Sequence, residues 1–411
     1  MTKPVTAVAW MGNLGTFSAL RVKGYRSFWS GLLAIYFGVQ VQSLAAAWLA
    51  YELTHSPFKL GLVAAAWALP VVLFSVFGGV AADRVPKRTV LIWSRLWISL
   101  ITCTVATLIA TGLIEYWHLV AAGMLLGFGY AFSLAANQAI IPELVPSELT
   151  LNAIALNNSG FNLSRVAGPA LAGVLIGTVG TAGAYYTATV CYLVAIGVLW
   201  TLPKTGNKAI GRGPILEFMV EGFRYVWGNR SVMLIIALEF VLLFIAMPFQ
   251  SFMPAFAERL NVQAMGYGFL VMMLGVGAMI GSLGVASLGN FEKKGWLLLF
   301  SGLAYGAAIA IFSSLQSFGA ALALLVLVGL SGASYLATSN TLIQMNVTDA
   351  VRGRVMSVYL TVSGLQPLGV LLIGALAEVL GVPTVVAIGG GIIFVLMLVM
   401  LFVLTSVRRL K

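Results

Sequence analysis

The stretch FKLGLVAAAWALPVVLFSVFGGVAADRVPKR, residues 58–88, decides the class of fold. Its part from 60 to 82 contains no charged residue, and a cluster of charged residues follows at once. About 20 apolar residues are enough for an α-helix to cross the hydrocarbon core of a bilayer. Basic residues directly after such a run are typical of its cytoplasmic end. The stretch therefore predicts a membrane-spanning helix followed by a charged cytoplasmic loop.

The whole chain has this character. Of its 411 residues, 60% are hydrophobic and only 9% are charged, whereas a soluble domain has about 25% charged residues. Apolar runs of spanning length lie near 28–50, 58–82, 89–112, 118–139, 153–178, 182–202, 232–257, 266–289, 296–314, 319–341, 355–378 and 384–407. Backbone polar groups in lipid must be satisfied within the segment, and the alternation of a membrane barrel is absent. We predict an all-α integral membrane protein with twelve transmembrane helices.

The basic residues indicate the orientation. If the first span runs outward, the inner ends and loops hold Lys3, Arg21, Lys23, Arg26, Arg84, Lys87, Arg88, Lys204, Lys208, Arg212, Arg224, Arg230, Lys293, Lys294, Arg352, Arg354, Arg408, Arg409 and Lys411. The outer loops hold only Lys59 and Arg259. This asymmetry predicts two cytoplasmic termini. The net charge of +11 then reflects the topology and contact with anionic lipid. The basic residues are scattered over separate loops, which argues against nucleic-acid binding.

An internal repeat divides the chain into halves. Gly79-Val-Ala-Ala-Asp-Arg-Val-Pro-Lys-Arg88 follows the second span, and Gly284-Val-Ala-Ser-Leu-Gly-Asn-Phe-Glu-Lys-Lys294 follows the eighth. Two six-helix halves are a transporter architecture with its site between the halves near the midplane. We predict a cytoplasmic segment at 1–26, a half at 27–202, a cytoplasmic linker with a surface helix at 203–230, and a second half with a short tail at 231–411.

Polar residues form stripes on helices that correspond in the two halves. Residues at i, i+4 and i+7 share one helical face, and three stripes have this spacing: Tyr36, Gln40 and Ser43; Asn158, Asn162 and Arg165; and Tyr359, Ser363 and Gln366. A fourth, Glu239 and Gln250, shares a face at eleven-residue spacing. A polar side chain in hydrocarbon is costly, so its position carries information. The stripes together favour an aqueous central cavity. For any single residue, hydrogen bonding that holds the bundle together is the alternative.

Two ions stand out in the predicted membrane interior, Arg165 and Glu239. Each requires a partner, water or a ligand. We hypothesise that both face the cavity and bind substrate or coupling protons, with Glu239 as the protonation candidate. A structural Arg–carboxylate pair is the alternative. Arg95, nearer the inner end of the third span, is expected to snorkel to the interface.

The sequence lacks the residues that an enzyme would need. Its two histidines, His55 and His118, fall in predicted outer loops, and both cysteines, Cys103 and Cys191, fall inside apolar spans. No hydrolase elbow or ATP-binding loop is present. The sequence therefore predicts no enzyme, no metal site and no cofactor, and active transport would depend on an ion gradient.

The loop Gly79–Arg88 resembles the major facilitator superfamily loop between helices two and three. It keeps the first Gly, the Asp83–Arg84 pair and the basic pair Lys87–Arg88, whereas Pro86 replaces the second Gly. The resemblance implies a gate in which Asp83 meets a helix N-terminus or a basic partner across the boundary between the halves. Topogenic charge alone explains the basic residues but not Asp83.

Gly168-Pro169 with Gly173 resembles the fifth-helix motif that the superfamily's antiporters carry, with Ala172 replacing one glycine. A plain packing kink is the alternative explanation for these residues. The fourth-helix motif appears as Gly123-Met-Leu-Leu-Gly-Phe-Gly129 and lacks its arginine. Proton coupling by the usual route is therefore in question.

Longer segments resemble the branch of enterobactin exporters and macrolide-efflux-like proteins. These segments are Lys23–Trp29, Trp48–Pro57, Val145–Ala153, Asn162–Pro169 and Arg352–Ser357. The resemblance implies a monomeric exporter in the cytoplasmic membrane. It would exchange an amphipathic drug, macrolide or siderophore for protons by alternating access. An importer or uncoupled facilitator of the same fold, or a sensor that does not transport, remains the alternative.

Overall fold

The computed structural model describes residues 15–202, 215–289 and 291–403. Its α-helices are α1 Lys23–Thr54, α2 Pro57–Arg84, α3 Lys87–Ala110, α4 Tyr116–Leu144, α5 Thr150–Thr201, α6 Ile215–Gly228, α7 Arg230–Val241, α8 Met253–Arg259, α9 Ala264–Ser287, α10 Lys294–Phe312, α11 Phe318–Met345, α12 Asp349–Gly364, α13 Gln366–Leu380 and α14 Val382–Val403. The described residues form no β-strand. The predicted all-α membrane architecture is confirmed, and eleven described segments are long and apolar enough to span a bilayer.

The count is eleven because the predicted fifth and sixth spans form one segment, Ser147–Thr201, of 55 residues. Its backbone is interrupted at Gly180, with φ 76° and ψ 172°. Only glycine adopts a positive φ of this kind at little cost, because it has no Cβ. The interruption falls between the spans predicted at 153–178 and 182–202.

The seventh predicted span is not a regular helix. After α7 the chain forms a π-helical turn at Leu242–Ala246 and a 3-10 segment at Met247–Phe252 before α8 begins. Pro248 and Pro254 follow one another closely here, and proline cannot donate the backbone hydrogen bond of a continuing helix. Because of this irregular stretch, the side chains on either side of it do not keep one helical register. Glu239 lies before the stretch and Gln250 within it.

The eleventh predicted span is divided as well. α12 ends at Gly364 and α13 begins at Gln366, with Leu365 between them. Pro367 follows directly, and a proline disfavours helical backbone in the residue before it and removes one donor. Tyr359 and Gln366, which the sequence placed on one face, therefore belong to two separate helices.

Helix packing defines the boundary between the halves. Within the first half, α1 packs along α5 and α2 along α4, and within the second half α9 packs along α11. The most extensive contacts across the boundary are those of α5 with α9 and of α2 with α13, and α1 also contacts α8. Predicted features that fall on 1–14, 203–214 and 404–411 lie outside the described residues; among these features are parts of both cytoplasmic ends, part of the linker, and Lys3, Lys204, Lys208, Arg212, Arg408, Arg409 and Lys411.

Helix α6 lies in the predicted linker and contacts α12. Glu221 and Arg354 form an ion pair of 2.8 Å between these helices. Gly222 lies against the backbone of Arg354, where an added Cβ would come within 2.5 Å of the carbonyl oxygen. The last part of the linker is therefore attached to the second half.

Candidate functional site

Glu239 is the centre of a polar cluster in the second half. Its side chain is 1% exposed, and the Ser339 hydroxyl of α11 donates a hydrogen bond to Oε2. The Tyr359 hydroxyl of α12 approaches the same carboxyl group and also interacts with Asn340. Oε1 is nevertheless left without a well-formed hydrogen bond. The structure thus brings together two predicted residues, Glu239 and Tyr359, around a carboxyl group with one oxygen available.

The sequence analysis missed Ser339 and Asn340. Both lie in the tenth predicted span, where no stripe was identified. The signal was present, because Tyr335 and Ser339 stand four residues apart and both are buried. Residues at this spacing share a helical face, so the stripe was readable from the sequence.

Tyr36 begins the corresponding cluster in the first half. Its hydroxyl donates a 2.8 Å hydrogen bond to Oδ1 of Asn157 on α5, and its ring packs edge-on against Phe161 with centroids 5.3 Å apart. Asn157 belongs to none of the predicted stripes, whereas its neighbour Asn158, which does, is exposed. One helical residue corresponds to a turn of about 100°, so the two asparagines point in different directions.

Asn158, Asn162 and Arg165 do share one exposed face of α5. The Arg165 guanidinium lies 6.0 Å from the centre of the Phe161 ring. The carbonyl oxygen of Arg165 is close to Gly275 on α9, so this part of α5 borders the second half. Among the described residues, Arg165 forms no ion pair with Glu239 or any other carboxylate.

The remaining residues of the predicted stripes occupy separate positions. Gln40 packs against Gly168, where an added Cβ would lie 2.6 Å from the Gln40 Cβ atom. Ser43 is exposed. Gln250 interacts with the buried Tyr305 of α10, and half-buried Gln366 starts α13. The structure therefore does not gather the stripes into one set of mutual contacts.

Arg95 is where the structure overturns the sequence analysis. The predicted snorkelling is wrong, because Arg95 is 1% exposed and ranks among the largest fully buried side chains. Its guanidinium lies 5.8 Å from the centre of the Tyr130 ring. Tyr130 is linked through its hydroxyl to Tyr192 at 3.1 Å, and Tyr192 donates to Oε1 of Gln42 at 2.5 Å. The helices α3, α4, α5 and α1 thus enclose a cation.

Polar contacts join the two halves at the predicted outer end. The Tyr51 hydroxyl donates to Glu258 at 2.6 Å, and His55 Nδ1 lies 3.3 Å from the same carboxylate. The Ser56 hydroxyl donates to Glu378 at 2.7 Å, and the Phe58 amide donates to it at 3.2 Å. Glu258 and Glu378 of the second half therefore each make more than one polar contact with the first half.

The fifth-helix motif lies in the same contact zone. A Cβ on Gly268 of α9 would come within 2.5 Å of the Pro169 carbonyl oxygen and 2.9 Å of Gly173 Cα. The backbones of α5 and α9 thus touch directly at these small residues. Gly168 faces α1 instead. The motif permits close contact between the halves.

The predicted gating loop lies at the opposite end. Lys87 forms an ion pair with Glu143 at the end of α4, and Arg88 donates to the Trp200 carbonyl at 2.8 Å. Both contacts stay within the first half. Gly79 and Asp83 are half-buried and Arg84 is exposed. Among the residues that the structure describes, no cation forms an ion pair with Asp83.

A groove of about 680 Å³ adjoins the gating loop at Ala81 and Val85. It is lined by Val85, Trp93, Trp97, Leu100, Phe128 and Phe132, among others, on α2, α3 and α4. Trp93 is 68% and Leu100 65% exposed, as expected for side chains that face lipid. None of the predicted site residues lines it, and its apolar character offers no group for specific recognition.

Comparison with known proteins agrees with this architecture. Residues 14–410 match the family described as transmembrane secretion effector. The multidrug efflux pump Tap of Mycolicibacterium fortuitum is 26% identical, with 84% of this chain and 87% of that protein covered. The enterobactin exporter EntS of Escherichia coli O1:K1 / APEC is 27% identical, with 98% and 96% covered.

Solved structures share the fold. The nucleoside transporter NupG superposes with a TM-score of 0.74 at 13% identity and covers 92% of this chain and 98% of its own. A bacterial homologue of the human lysosomal transporter Spinster, in an inward-facing and unoccupied conformation, gives 0.69 at 16% identity and covers 95% and 96%. The protein is a multi-pass transporter of the inner membrane and not an enzyme. The chain belongs to the transmembrane secretion effector family of the major facilitator superfamily.

Proposed function

We propose that this protein exports an amphipathic small molecule of the drug, macrolide or siderophore class by alternating access, in exchange for protons. Its relatives Tap and EntS are named as a multidrug efflux pump and an enterobactin exporter. Export fits the predicted orientation, in which a substrate enters from the cytoplasm and leaves at the end that carries Glu258 and Glu378.

The observation that carries the proposal is the difference between the two ends of the boundary. At one end, Glu258 and Glu378 connect the halves through hydrogen bonds of 2.6 and 2.7 Å. At the other end, Asp83 forms no ion pair among the residues that the structure describes. Alternating access requires contacts that exist at one end and can form at the other. This arrangement corresponds to a state closed at the outer end.

The proposal includes a topology of twelve crossings with both termini in the cytoplasm. The break at Gly180 supports two crossings within α5. The segment Ser147–Thr201, which contains α5, has 55 residues. As a straight helix it would be about 80 Å long, more than twice the roughly 30 Å thickness of the hydrocarbon core. The proposed units are 1–26, 27–202, 203–230 and 231–411. We further propose that the protein acts as a monomer in lipid, without a nucleic-acid partner.

Glu239 is the proposed site of proton binding. It is the acidic residue that the polar cluster encloses, and its Oε1 atom has capacity for a proton or a ligand. The nearby α7 is followed by the irregular segment Leu242–Phe252, which can change its backbone at lower cost than a regular helix. Protonation of Glu239 could therefore be linked to movement of α7 against α11. Asp83 is the proposed gate at the cytoplasmic end.

The test measures the accumulation of fluorescent and antibiotic compounds in efflux-deficient cells that express this protein. We expect lower accumulation than in cells without it, and a protonophore should abolish the difference. Asp83→Asn should remove export at unchanged membrane abundance. Glu292→Gln is the matched control, because it neutralises an exposed carboxylate of the corresponding loop in the second half. Equal accumulation with and without the protein, across the panel, would contradict export of these compounds.

A transporter without proton coupling is the second candidate. Gly123 stands where the family's fourth-helix motif carries arginine, which favours an uncoupled facilitator or an importer. Flux in purified liposomes that persists without a pH gradient would establish this candidate. Binding of a panel compound without any flux would instead indicate a sensor.

A further inference from the structure

The membrane interior of this protein carries an excess of positive charge. Away from their ends, the predicted spans of the first half contain Arg95 and Arg165 and no acidic residue. Those of the second half contain Glu239 alone. Arginine keeps its charge in proteins. Even if Glu239 is ionised and compensates one arginine, a second positive charge has no carboxylate of its own inside the membrane.

Arg95 is the arginine without compensation in the structure. It is fully buried, and its Nε and Nη1 atoms have no hydrogen-bond partner. Arg165, in contrast, is exposed on α5. A buried cation with unsatisfied donors is expensive in a low-dielectric environment, so an anionic or strongly polar group is expected to meet it in the working protein.

The surroundings of Arg95 are neutral and rich in phenols. Tyr36, Tyr130 and Tyr192 all lie near enough to interact with it electrostatically. The Tyr130 ring offers a cation–π contact, which compensates only a part of the charge. Because the Tyr192 hydroxyl donates its hydrogen to Gln42, the hydrogen bond between Tyr130 and Tyr192 must be donated by the Tyr130 hydroxyl to the Tyr192 oxygen. Both phenol protons are therefore used, and the guanidinium N–H groups remain for a ligand.

Tyr36 connects this cation to the proposed substrate cavity. It is half-buried on α1, it interacts with Arg95, and its hydroxyl reaches Asn157 on the neighbouring α5. The cation thus interacts with a side chain of the polar stripe.

We propose that Arg95, reached past Tyr36, is a binding site for a negatively charged group. That group is either the carboxylate or phenolate of an amphipathic substrate or a small inorganic anion. The guanidinium supplies the donors, and the phenol rings supply an apolar wall for an aromatic ligand. This inference rests on the proposed function for its substrate class, since it restricts the exported amphipaths to those that carry a negative charge.

The test uses the purified full-length protein in detergent with sodium gluconate as the background salt. Thermal unfolding is followed as sodium salicylate, its neutral analogue salicylamide, or sodium chloride is added. We expect salicylate to raise the apparent melting temperature by about 2–4 °C near saturation, and salicylamide to have no effect. Arg95→Gln should abolish the rise, whereas Arg95→Lys, which keeps the charge, should retain part of it. Arg26→Gln, at an exposed arginine of α1, should behave as wild type.

The outcomes separate the two sources of the anion. A rise with salicylate alone that depends on Arg95 assigns the site to substrate, and a rise with chloride alone assigns it to an inorganic anion. An equal effect of salicylate and salicylamide on the wild type, no effect of any anion, or an unchanged rise in Arg95→Gln would overturn the site. Where Arg95→Gln does not fold, Arg95→Lys takes its place: a reduced rise supports the site, and a rise equal to that of the wild type overturns it. If the protein exports compounds in cells but binds no anion in detergent, the anion site is refuted and the proposed function stands. If it binds the anion but exports nothing, the proposed function is refuted and the anion site stands.

Discussion

Substitution of Gly268 by alanine should push the two halves apart at the end where they meet. The added Cβ would lie 2.5 Å from the Pro169 carbonyl oxygen and 2.9 Å from Gly173 Cα. Ordinary contact begins at 3.4 Å, so the first separation is 0.9 Å too short. Both neighbouring atoms belong to the backbone of α5, and no side-chain rotation can relieve the contact. α9 must therefore move away from α5.

The size of the effect follows from the cost of overpacking. Extra volume in a well-packed contact costs about 1–3 kcal/mol, and about 1.4 kcal/mol corresponds to a tenfold change in an equilibrium. The penalty applies only to the state in which this end is closed. We therefore expect the ratio of the open to the closed state to rise about 5- to 150-fold. Alanine also favours a helix over glycine by about 0.5–1 kcal/mol, which acts equally on both states.

Distances between spin labels measure this shift. Cysteines at Lys59 on α2 and Val379 on α13, in a background without Cys103 and Cys191, place labels on another helix pair that crosses the boundary. Both positions are exposed. We expect Gly268→Ala to add a longer distance to the distribution. The labels report movement of the halves and not a local distortion, because they lie on different helices from the substitution.

The matched control is Gly284→Ala on the same helix α9. An added Cβ at Gly284 would meet no atom within 4 Å, so the distance distribution should not change. If both variants kept the wild-type distribution, the contact between α5 and α9 would not hold this end closed. If both lengthened it equally, helix propensity and not the backbone contact would be responsible. Either result would refute the reasoning.

Further variants test the carboxyl groups. Glu239→Gln should abolish proton-driven transport at normal membrane abundance, and transport that keeps its full dependence on pH would end the proposed role. Ser339→Ala removes the donor to this carboxyl group and should destabilise the protein by about 1–3 kcal/mol, which thermal unfolding measures; an unchanged melting temperature would show that water replaces the hydroxyl. Glu378→Gln weakens two hydrogen bonds at the closed end, each worth about 1.5–3 kcal/mol to a charged group, so the spin-label distances should lengthen. Glu258→Gln, with its partners more exposed, should have a smaller effect, and an effect larger than that of Glu378→Gln would contradict the ranking by exposure.

Much of the fold was predictable from the sequence because hydropathy is a local property. The break predicted between 178 and 182 falls at Gly180, and the prolines at 248, 254 and 367 stand in the two spans that are not single regular helices. The fifth-helix motif could be identified by its residues alone. Its contact with Gly268, however, joins residues about a hundred positions apart, and no local pattern contains that information.

The candidate site was predictable only in part. Glu239 and Tyr359 were identified, because a polar group in an apolar span is conspicuous in any sequence. The contact between Tyr36 and Asn157 was not predicted, and Asn157 is one residue from the stripe at Asn158; a single residue rotates a side chain by about 100° around the helix axis. Periodicity gives the relative directions of residues on one helix. It does not give the direction of that helix towards its neighbours.

Arg95 shows most clearly how the information in the sequence differs from that in the tertiary structure. By itself, the sequence determined that this chain is a bundle of membrane-spanning helices, since the bilayer imposes length and composition on every span separately. Only the tertiary structure decided that Arg95 is enclosed by phenols, that Ser339 meets Glu239, and that the backbones of α5 and α9 touch at Gly268. These contacts depend on the rotation and depth of each helix, which are set by packing against residues far away in the chain.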